Sequence, residues 1–260
     1  THNNSFGNFN SINIESISIL FMIIGSLPFV VYLKIIHGDW KSFLKDEQIK
    51  LLLFIILILI IFTTIWLQIN FEKTVLSSLR IVSFNIISIL TGTGYTSSNF
   101  NLWGGFGLTI MLFIMFIGGC AGSTTGGVKI FRLLLLFRGA KAQIKRLIHP
   151  HGVFITSFNQ KSVAEDTFNS IMGFFFIYIL IFILSAIILS FFGLDFLTSI
   201  SASASAISNV GPGLGNLVGP TGNYSILPIE AKWVLSFTML IGRLELFTIL
   251  VLLSLSFWKK

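Results

Sequence analysis

Thr91-Gly92-Thr93-Gly94-Tyr95 closes a Ser/Ile/Leu/Val-rich stretch, residues 73–90, that is too short and too polar to cross a bilayer. Ser208-Asn209-Val210-Gly211-Pro212-Gly213-Leu214-Gly215 closes a second such stretch, residues 195–207, built of small residues. Each follows one long apolar run and precedes another, so the order apolar span, half-length helix, glycine turn, apolar span occurs twice. Non-helical backbone at membrane depth persists only where protein buries it or a water-filled cavity receives its carbonyls. A half-helix entering from outside and leading into a Gly/Thr segment supplies main-chain oxygens that replace a cation's hydration shell. It also brings a helix C-terminus whose dipole places partial negative charge near that cation. Glycine suits such a segment because it admits backbone angles that other residues avoid. A glycine-rich external loop is the plainer reading of either segment alone, and two at matched places weigh against it.

The rest of the chain agrees with a membrane setting. Of 260 residues, 54% are hydrophobic and 10% charged, with 28 phenylalanines, and the mean hydropathy is +0.90. Soluble domains carry roughly a quarter charged residues, so a soluble globular fold is excluded. Long apolar runs fall at 17–36, 51–68, 102–137, 171–192 and 233–258. The third is interrupted by Gly118-Gly119-Cys120-Ala121-Gly122-Ser123-Thr124-Thr125-Gly126-Gly127. Two basic stretches, 34–50 and 138–161, separate runs one from two and three from four, and Lys259 and Lys260 close the chain. Placing both stretches and the C-terminus in the cytoplasm satisfies the positive-inside rule, with the interrupted third run as one crossing. The outside connections then hold only Lys73, Arg80 and Lys232 as cations. The net charge of +7 is thereby explained as orientation, without a nucleic-acid partner. Thr1-His2-Asn3-Asn4 has no basic n-region, so the chain reads as starting inside a longer sequence.

Several function classes drop out on spacing. The single cysteine, Cys120, excludes a disulfide framework and a Cys-rich metal site. The four histidines, His2, His37, His149 and His151, are dispersed, and no nucleophile–base pairing suggests an enzyme. A phosphate loop requires Gly, four residues, then Gly-Lys-Ser/Thr. Gly126-Gly127-Val128-Lys129 breaks that pattern, between membrane helices instead of a strand and a helix. Arg243 and Glu245 lie inside the last apolar run, where a charge costs about 2.5–3.5 kcal/mol. Two residues apart, they point about 200° from one another on a helix, so each needs its own partner. Carbonyl and hydroxyl oxygens of 118–127, including Ser123, Thr124 and Thr125, are the natural partners of Arg243. Glu245 is the only central acid available to couple protons.

The 118–129 motif resembles the broken helix of bacterial potassium-uptake subunits in the Trk/Ktr/HKT superfamily, TrkH type. So do Thr93-Gly94-Tyr95, Leu147-Ile148-His149-Pro150, Asn209 to Gly215 and Gly242-Arg243-Leu244-Glu245-Leu246-Phe247-Thr248, and the likeness runs the length of the chain. The resemblance implies an all-α membrane protein of repeated helix–pore loop–helix units, four around one potassium pathway, incomplete in this chain. It implies that 1–36 ends the second repeat and 37–50 is a cytoplasmic loop. Residues 51–137 become the third repeat, with a pore loop at 73–95 and a broken helix at 118–127. A cytoplasmic basic loop occupies 138–168, and the fourth repeat, 169–260, has its pore loop at 195–215.

On that resemblance the filter residues are Thr91, Gly92, Thr93, Gly94 and Tyr95 with Ser208, Asn209, Val210 and Gly211, whose backbone oxygens hold K+. Ordinary turn glycines are the alternative. Gly118, Gly119, Gly122, Ser123, Thr124, Thr125, Gly126 and Gly127 become an intramembrane gate that Arg243 helps to hold, the alternative being an arginine that pins two helices. Asn209 and Pro212 depart from the simple Thr-x-Gly form, which loosens the expected discrimination against sodium. The implied setting is the bacterial inner membrane, multi-pass, with a cytoplasmic C-terminus and potassium as substrate, without a bound cofactor. The implied partners are the missing N-terminal repeats, a second copy in a homodimer, and a cytoplasmic nucleotide-binding regulatory ring. The basic run around Arg138, Lys141, Lys145 and Arg146, with Lys129 and Arg132, could dock that ring, although positive-inside anchoring is its plainer reading. A secondary transporter of another cation or small solute with a midplane site, and a non-conducting membrane scaffold, stand as rival classes.

Overall fold

Uninterrupted runs of Leu, Ile and Phe, with no proline and no charge after the first turn, give two long helices. These are α4 (Glu47–Phe71) and α8 (Glu165–Phe191). At 25 and 27 residues, and about 1.5 Å per residue, both exceed the ~30 Å hydrocarbon core. The computed structural model describes residues 5–71, 74–154, 156–243, 251 and 255–258. Among these the chain is almost entirely helical: α1 (Ile12–Gly25), α2 (Phe29–Ile36), α3 (Lys41–Lys45), α4, α5 (Val75–Leu90), α6 (Gly104–Ile117), α7 (Ile130–Ile148), α8, α9 (Phe196–Ser208), α10 (Gly215–Val218) and α11 (Ile229–Arg243). A small hairpin, β1 (Ser157–Phe158) with β2 (Lys161–Ser162), turns through Asn159 and Gln160 at positive φ.

The expected half-length helices are present as α5 and α9, of 16 and 13 residues. Both are buried deep in the protein although they lie between spans, and serine makes up much of the buried face of α9. α9 packs against α8 and α11, and α5 against α4, α1 and α6. Each short helix is thus enclosed by the long ones, which turn apolar side chains such as Phe54, Phe62, Phe176 and Ile187 outward. Around α9, small and polar side chains face inward and large apolar ones outward, an arrangement that lipid as solvent favours.

Three expected boundaries change. The first apolar run is not one continuous helix: α1 and α2 meet at a bend of 94°. Ser26-Leu27-Pro28 makes the break, because proline cannot donate the next helical bond and biases its predecessor out of the α region. The basic stretch after residue 138 is not simply loop, since α7 continues to Ile148. Its Leu, Arg, Lys, Ala and Gln are strong helix formers. The loop at 37–50 likewise contains α3 and the start of α4. The last apolar run enters the structure as α11, and most residues beyond Arg243, including Glu245, lie outside the described residues.

Two ion pairs lock elements that are far apart in sequence. Arg138 Nη1 meets Glu47 Oε2 at 2.8 Å, while Asn159 donates to Glu47 and Asp46, so the hairpin caps the start of α4. In the second pair, Arg80 on α5 grips Glu15 on α1 through both carboxylate oxygens, at 2.7 and 2.8 Å. Glu15 is 4% exposed, and among the described residues Arg80 is the cation that pairs with it. Arg80→Ala strands that carboxylate and lowers stability by about 3–5 kcal/mol. Thermal unfolding in detergent, with the double variant Glu15→Gln/Arg80→Met recovering most of the loss, checks this.

Candidate functional site: two glycine segments and the loop beneath them

The ends of α5 and α9 are built on one hydrogen-bond frame. Thr93 N donates to Ser88 O at 2.9 Å, and Val210 N donates to Ser205 O at 3.0 Å. Gly92 N donates to Ile89 O, and Asn209 N to Ala206 O, at 3.1 Å in both. Gly92 and Asn209 both stand in the left-handed region, at φ +67° and +55°, and Asn is the non-glycine residue that most readily accepts it. Asn209 thus does the backbone work of a glycine.

The two segments touch. A Cβ on Gly94 would collide with the Val210 carbonyl oxygen, and one on Gly211 would stand 3.8 Å from Gly94 Cα. Among the described residues, no donor reaches the carbonyl oxygens of Gly92, Thr93, Gly94, Asn209 or Val210. Adjacent carbonyl oxygens without donors form an electronegative surface suited to a cation. Tyr95 stacks on Phe6 at 4.9 Å between ring centroids, and Tyr178 shares a 2.7 Å hydrogen bond with the Ser208 hydroxyl from the opposite side.

Residues 118–127 form a loop spliced into one helical element. Gly118 leaves α6 at φ +72°. The chain returns so that Val128 N donates to Phe116 O and Lys129 N to Ile117 O, at 3.0 and 2.9 Å. The last carbonyls of α6, which a helix end leaves without partners, are thereby filled by the residues that begin α7. Inside the loop, Gly119 N donates to Thr125 Oγ1, and Ser123 Oγ donates to Cys120 O. Outside it, Cys120 N donates to Ser26 O, Phe29 N to Gly122 O and Thr124 Oγ1 to Gly25 O. Ala121 N donates to the buried Gln48 side chain, and Arg243 Nη1 donates to Thr124 O at 2.9 Å. The expected partner of Arg243 is therefore found in this loop.

The loop lies directly against both glycine segments. A Cβ on Gly126 would strike Ser208 O, and one on Gly92 would stand 3.7 Å from Gly126 N. Gly242 lets α11 reach Ile207 O, where Asn209 Nδ2 donates to Met239 O at 3.1 Å. A cavity of about 340 Å³ opens between the Thr91–Tyr95 segment and the loop, lined by Thr91, Thr93, Thr124 and Thr125 among others. A larger one, about 470 Å³, borders Gly94 and Gly211 together with Tyr224 and Lys232.

The sequence profile of the family described as TrkH, cation transport protein, matches residues 1–259. The chain belongs to that family. It is 41% identical over 241 residues to the Trk system potassium uptake protein TrkI of Halomonas elongata, covering 93% of this chain and 49% of the relative. It is 33% identical over 263 residues to the Trk system potassium uptake protein TrkH of Salmonella typhimurium, covering 100% of this chain and 54% of the relative. The crystal structure of the potassium transporter TrkH from Vibrio parahaemolyticus matches with a TM-score of 0.91 at 34% identity, over 99% of this chain and 55% of that one. This chain therefore spans about half the length of the curated relatives it matches. As a member of the TrkH family with long apolar helices, it is a multi-pass membrane protein.

Five polar groups around this TrkH-family site escaped the sequence reading. Gln48, Tyr178, Ser205 and Tyr224 bond to the glycine segments or the loop, and Asp195 fixes the approach of α9. Tyr178 was the one with a visible signal, a hydroxyl within a Phe/Ile run. Asp195 caps α9 by accepting from Thr198 N at 3.1 Å. Hydrogen bonding to Thr198 holds its carboxyl below the ordinary carboxylate range. A depressed native pKa gives stability that is full above the unfolded value, near 4, and lost as pH falls through the native one. Asp195→Asn keeps the cap without the charge. Unfolding midpoints of the two proteins therefore converge as pH drops below about 4, which thermal melts across a pH series read directly.

Proposed function

We propose that the chain supplies two walls of a gated potassium-uptake pathway in a bacterial cytoplasmic membrane, with the C-terminus cytoplasmic, and that it acts as a transporter and not an enzyme. The observation that carries this is the pair of touching segments in which, among the described residues, no donor reaches the main-chain oxygens of Gly92, Thr93, Gly94, Asn209 or Val210. Thr91, Gly92, Thr93, Gly94 and Tyr95 form one wall and Ser208, Asn209, Val210 and Gly211 the other, and the relatives' names, Trk system potassium uptake proteins, point to K+ as the ion. Residues 51–137 act as the third repeat and 169–260 as the fourth, with 1–36 closing the second. The remaining walls come from N-terminal repeats that the longer relatives have room to encode. Full activity involves a homodimer and a cytoplasmic nucleotide-binding ring, which the exposed Lys141, Lys145 and Arg146 of α7 suit as a basic docking face.

No chemistry is required of such a site. A potential of about 100 mV, negative inside, is worth about 2.3 kcal/mol per charge. At about 1.4 kcal/mol per tenfold, that supports roughly fortyfold accumulation. The protein's work is dehydration, selection and closure. Closure falls to the 118–127 loop, since Gly126 sits against the fourth segment and Arg243 holds Thr124.

Rubidium uptake in a potassium-uptake-deficient bacterium tests the assignment. Uptake is expected when this chain is joined to the N-terminal repeats and absent for the chain alone; no uptake by the joined protein would defeat the proposal. In the joined protein, Gly94→Ser forces the two segments apart and lets sodium compete. Unchanged rubidium/sodium discrimination would remove Gly94 from the filter.

Arg243→Ala frees the Thr124 carbonyl and raises open time in single-channel or flux recordings. Open times equal to wild type would leave Arg243 as a helix pin.

A further inference from the structure

The two segments share a frame but differ at their central glycine. Gly94 presents a carbonyl that no donor reaches among the described residues. The Gly211 carbonyl accepts two: the Tyr224 hydroxyl at 2.8 Å and the Ser205 hydroxyl at 2.8 Å. The Ser205 hydroxyl also accepts from Gly211 N at 3.1 Å, so it brackets the residue from both ends. Ser88 stands to Gly94 as Ser205 stands to Gly211, yet the Ser88 hydroxyl is buried without a partner among the described residues. The difference traces to Tyr224, which reaches in from the segment before α11 and has no counterpart on the third segment among the described residues. A carbonyl oxygen has two lone pairs, and both at Gly211 are taken. Gly211 stands at φ +117°, a conformation open to glycine that leaves its peptide free to turn unless something holds it.

We infer that Tyr224 is a specificity-setting positioning residue: with Ser205 it holds the Gly211 carbonyl out of the cation's coordination shell, so the two walls contribute unequal sets of oxygens. This rests on the reading of these segments as a cation filter and deepens it. Removing the hydroxyl releases the Gly211 peptide to rotate. A freed carbonyl adds an oxygen that lets the wall close around a smaller ion, so sodium gains relative to rubidium. Tyr224 is half-buried, and displacement of water raises its hydroxyl pKa. It therefore remains a donor throughout the working pH range.

The test is sodium inhibition of rubidium uptake by the full-length transporter carrying Tyr224→Phe, with uptake normalised to the protein present in the membrane. Tyr224→Phe keeps the ring and its packing, and Ser205→Ala removes the other donor independently. Sodium is expected to compete about fivefold better in Tyr224→Phe, the weight of one ordinary hydrogen bond. Ser205→Ala should shift the ratio in the same direction. A purely structural tyrosine would lower uptake of both ions alike and leave the ratio unchanged. Wild-type ratios in both variants, beside an altered ratio in Gly94→Ser, would overturn the inference while leaving the filter intact. Wild-type ratios in all three would overturn the filter reading with it.

Discussion

Two broken backbones satisfy each other inside the membrane, and the site depends on that exchange. Where α1 gives way to α2, Pro28 ends the helical ladder and leaves Gly25 O, Ser26 O and Phe29 N without helical partners. Where α6 gives way to α7, the glycine loop leaves Cys120 N, Gly122 O and the Thr124 hydroxyl in the same condition. Each takes up the other's groups: Cys120 N to Ser26 O, Phe29 N to Gly122 O, Thr124 Oγ1 to Gly25 O. In lipid an unpaired peptide group costs several kcal/mol, so neither break is tolerable alone. The 94° bend and the intramembrane loop are one structural device, assembled from segments nearly a hundred residues apart.

That device packs against both glycine segments. The loop meets Ser208 at Gly126 and Gly92 at its own backbone, and the third and fourth segments meet each other at Gly94 and Val210. Close approach at Ser208–Gly126 and at Gly94–Val210 is available only because a Cβ is missing. Glycine's role here is steric as much as conformational: Gly126 and Gly242 have no positive φ, yet any side chain would push a neighbour's carbonyl away. Hydroxyls supply the rest, since Tyr178, Ser205 and Tyr224 hold the fourth segment through donors whose alternatives in an apolar surround are poor.

Much of this was legible in the residues, for physical reasons that also set the limits. The two half-length helices were visible because such helices ending in glycine-rich turns are costly in lipid and need a purpose, and both appeared where expected as α5 and α9. Arg243 could be matched to the 118–127 loop because an intramembrane cation must find oxygens and few were on offer. The bend at Ser26–Pro28 was hidden by averaging, since Leu27 and the apolar residues on either side keep a hydropathy window high across the proline. The helical nature of 138–148 was masked by its charge, which the positive-inside rule reads as position and not as conformation. Arg80–Glu15 and Tyr224–Gly211 could not be read at all: each joins residues whose pairing depends on the packing of α1, α5, α9 and α11, and no periodicity encodes it.

The way the loop is anchored constrains how it can move. Its first arm, Cys120 to Gly122, is tied by main-chain bonds to the α1–α2 break and by Ala121 to Gln48. Its second arm, Ser123 to Gly126, is held from outside by single contacts to the Thr124 hydroxyl and the Thr124 carbonyl, the latter from Arg243. Gly122 and Gly127, both at positive φ, sit at the two ends of that second arm and can absorb a rotation that other residues would resist. Displacement is therefore easier for residues 123–126 than for 120–122, and it would part Gly126 from Ser208 first. The same movement would release Arg243, whose helix carries Met239 and hence the Asn209 side chain. A displacement of this loop would be felt at Asn209, because Arg243, which holds Thr124, and Met239, which holds the Asn209 side chain, lie one turn apart on α11.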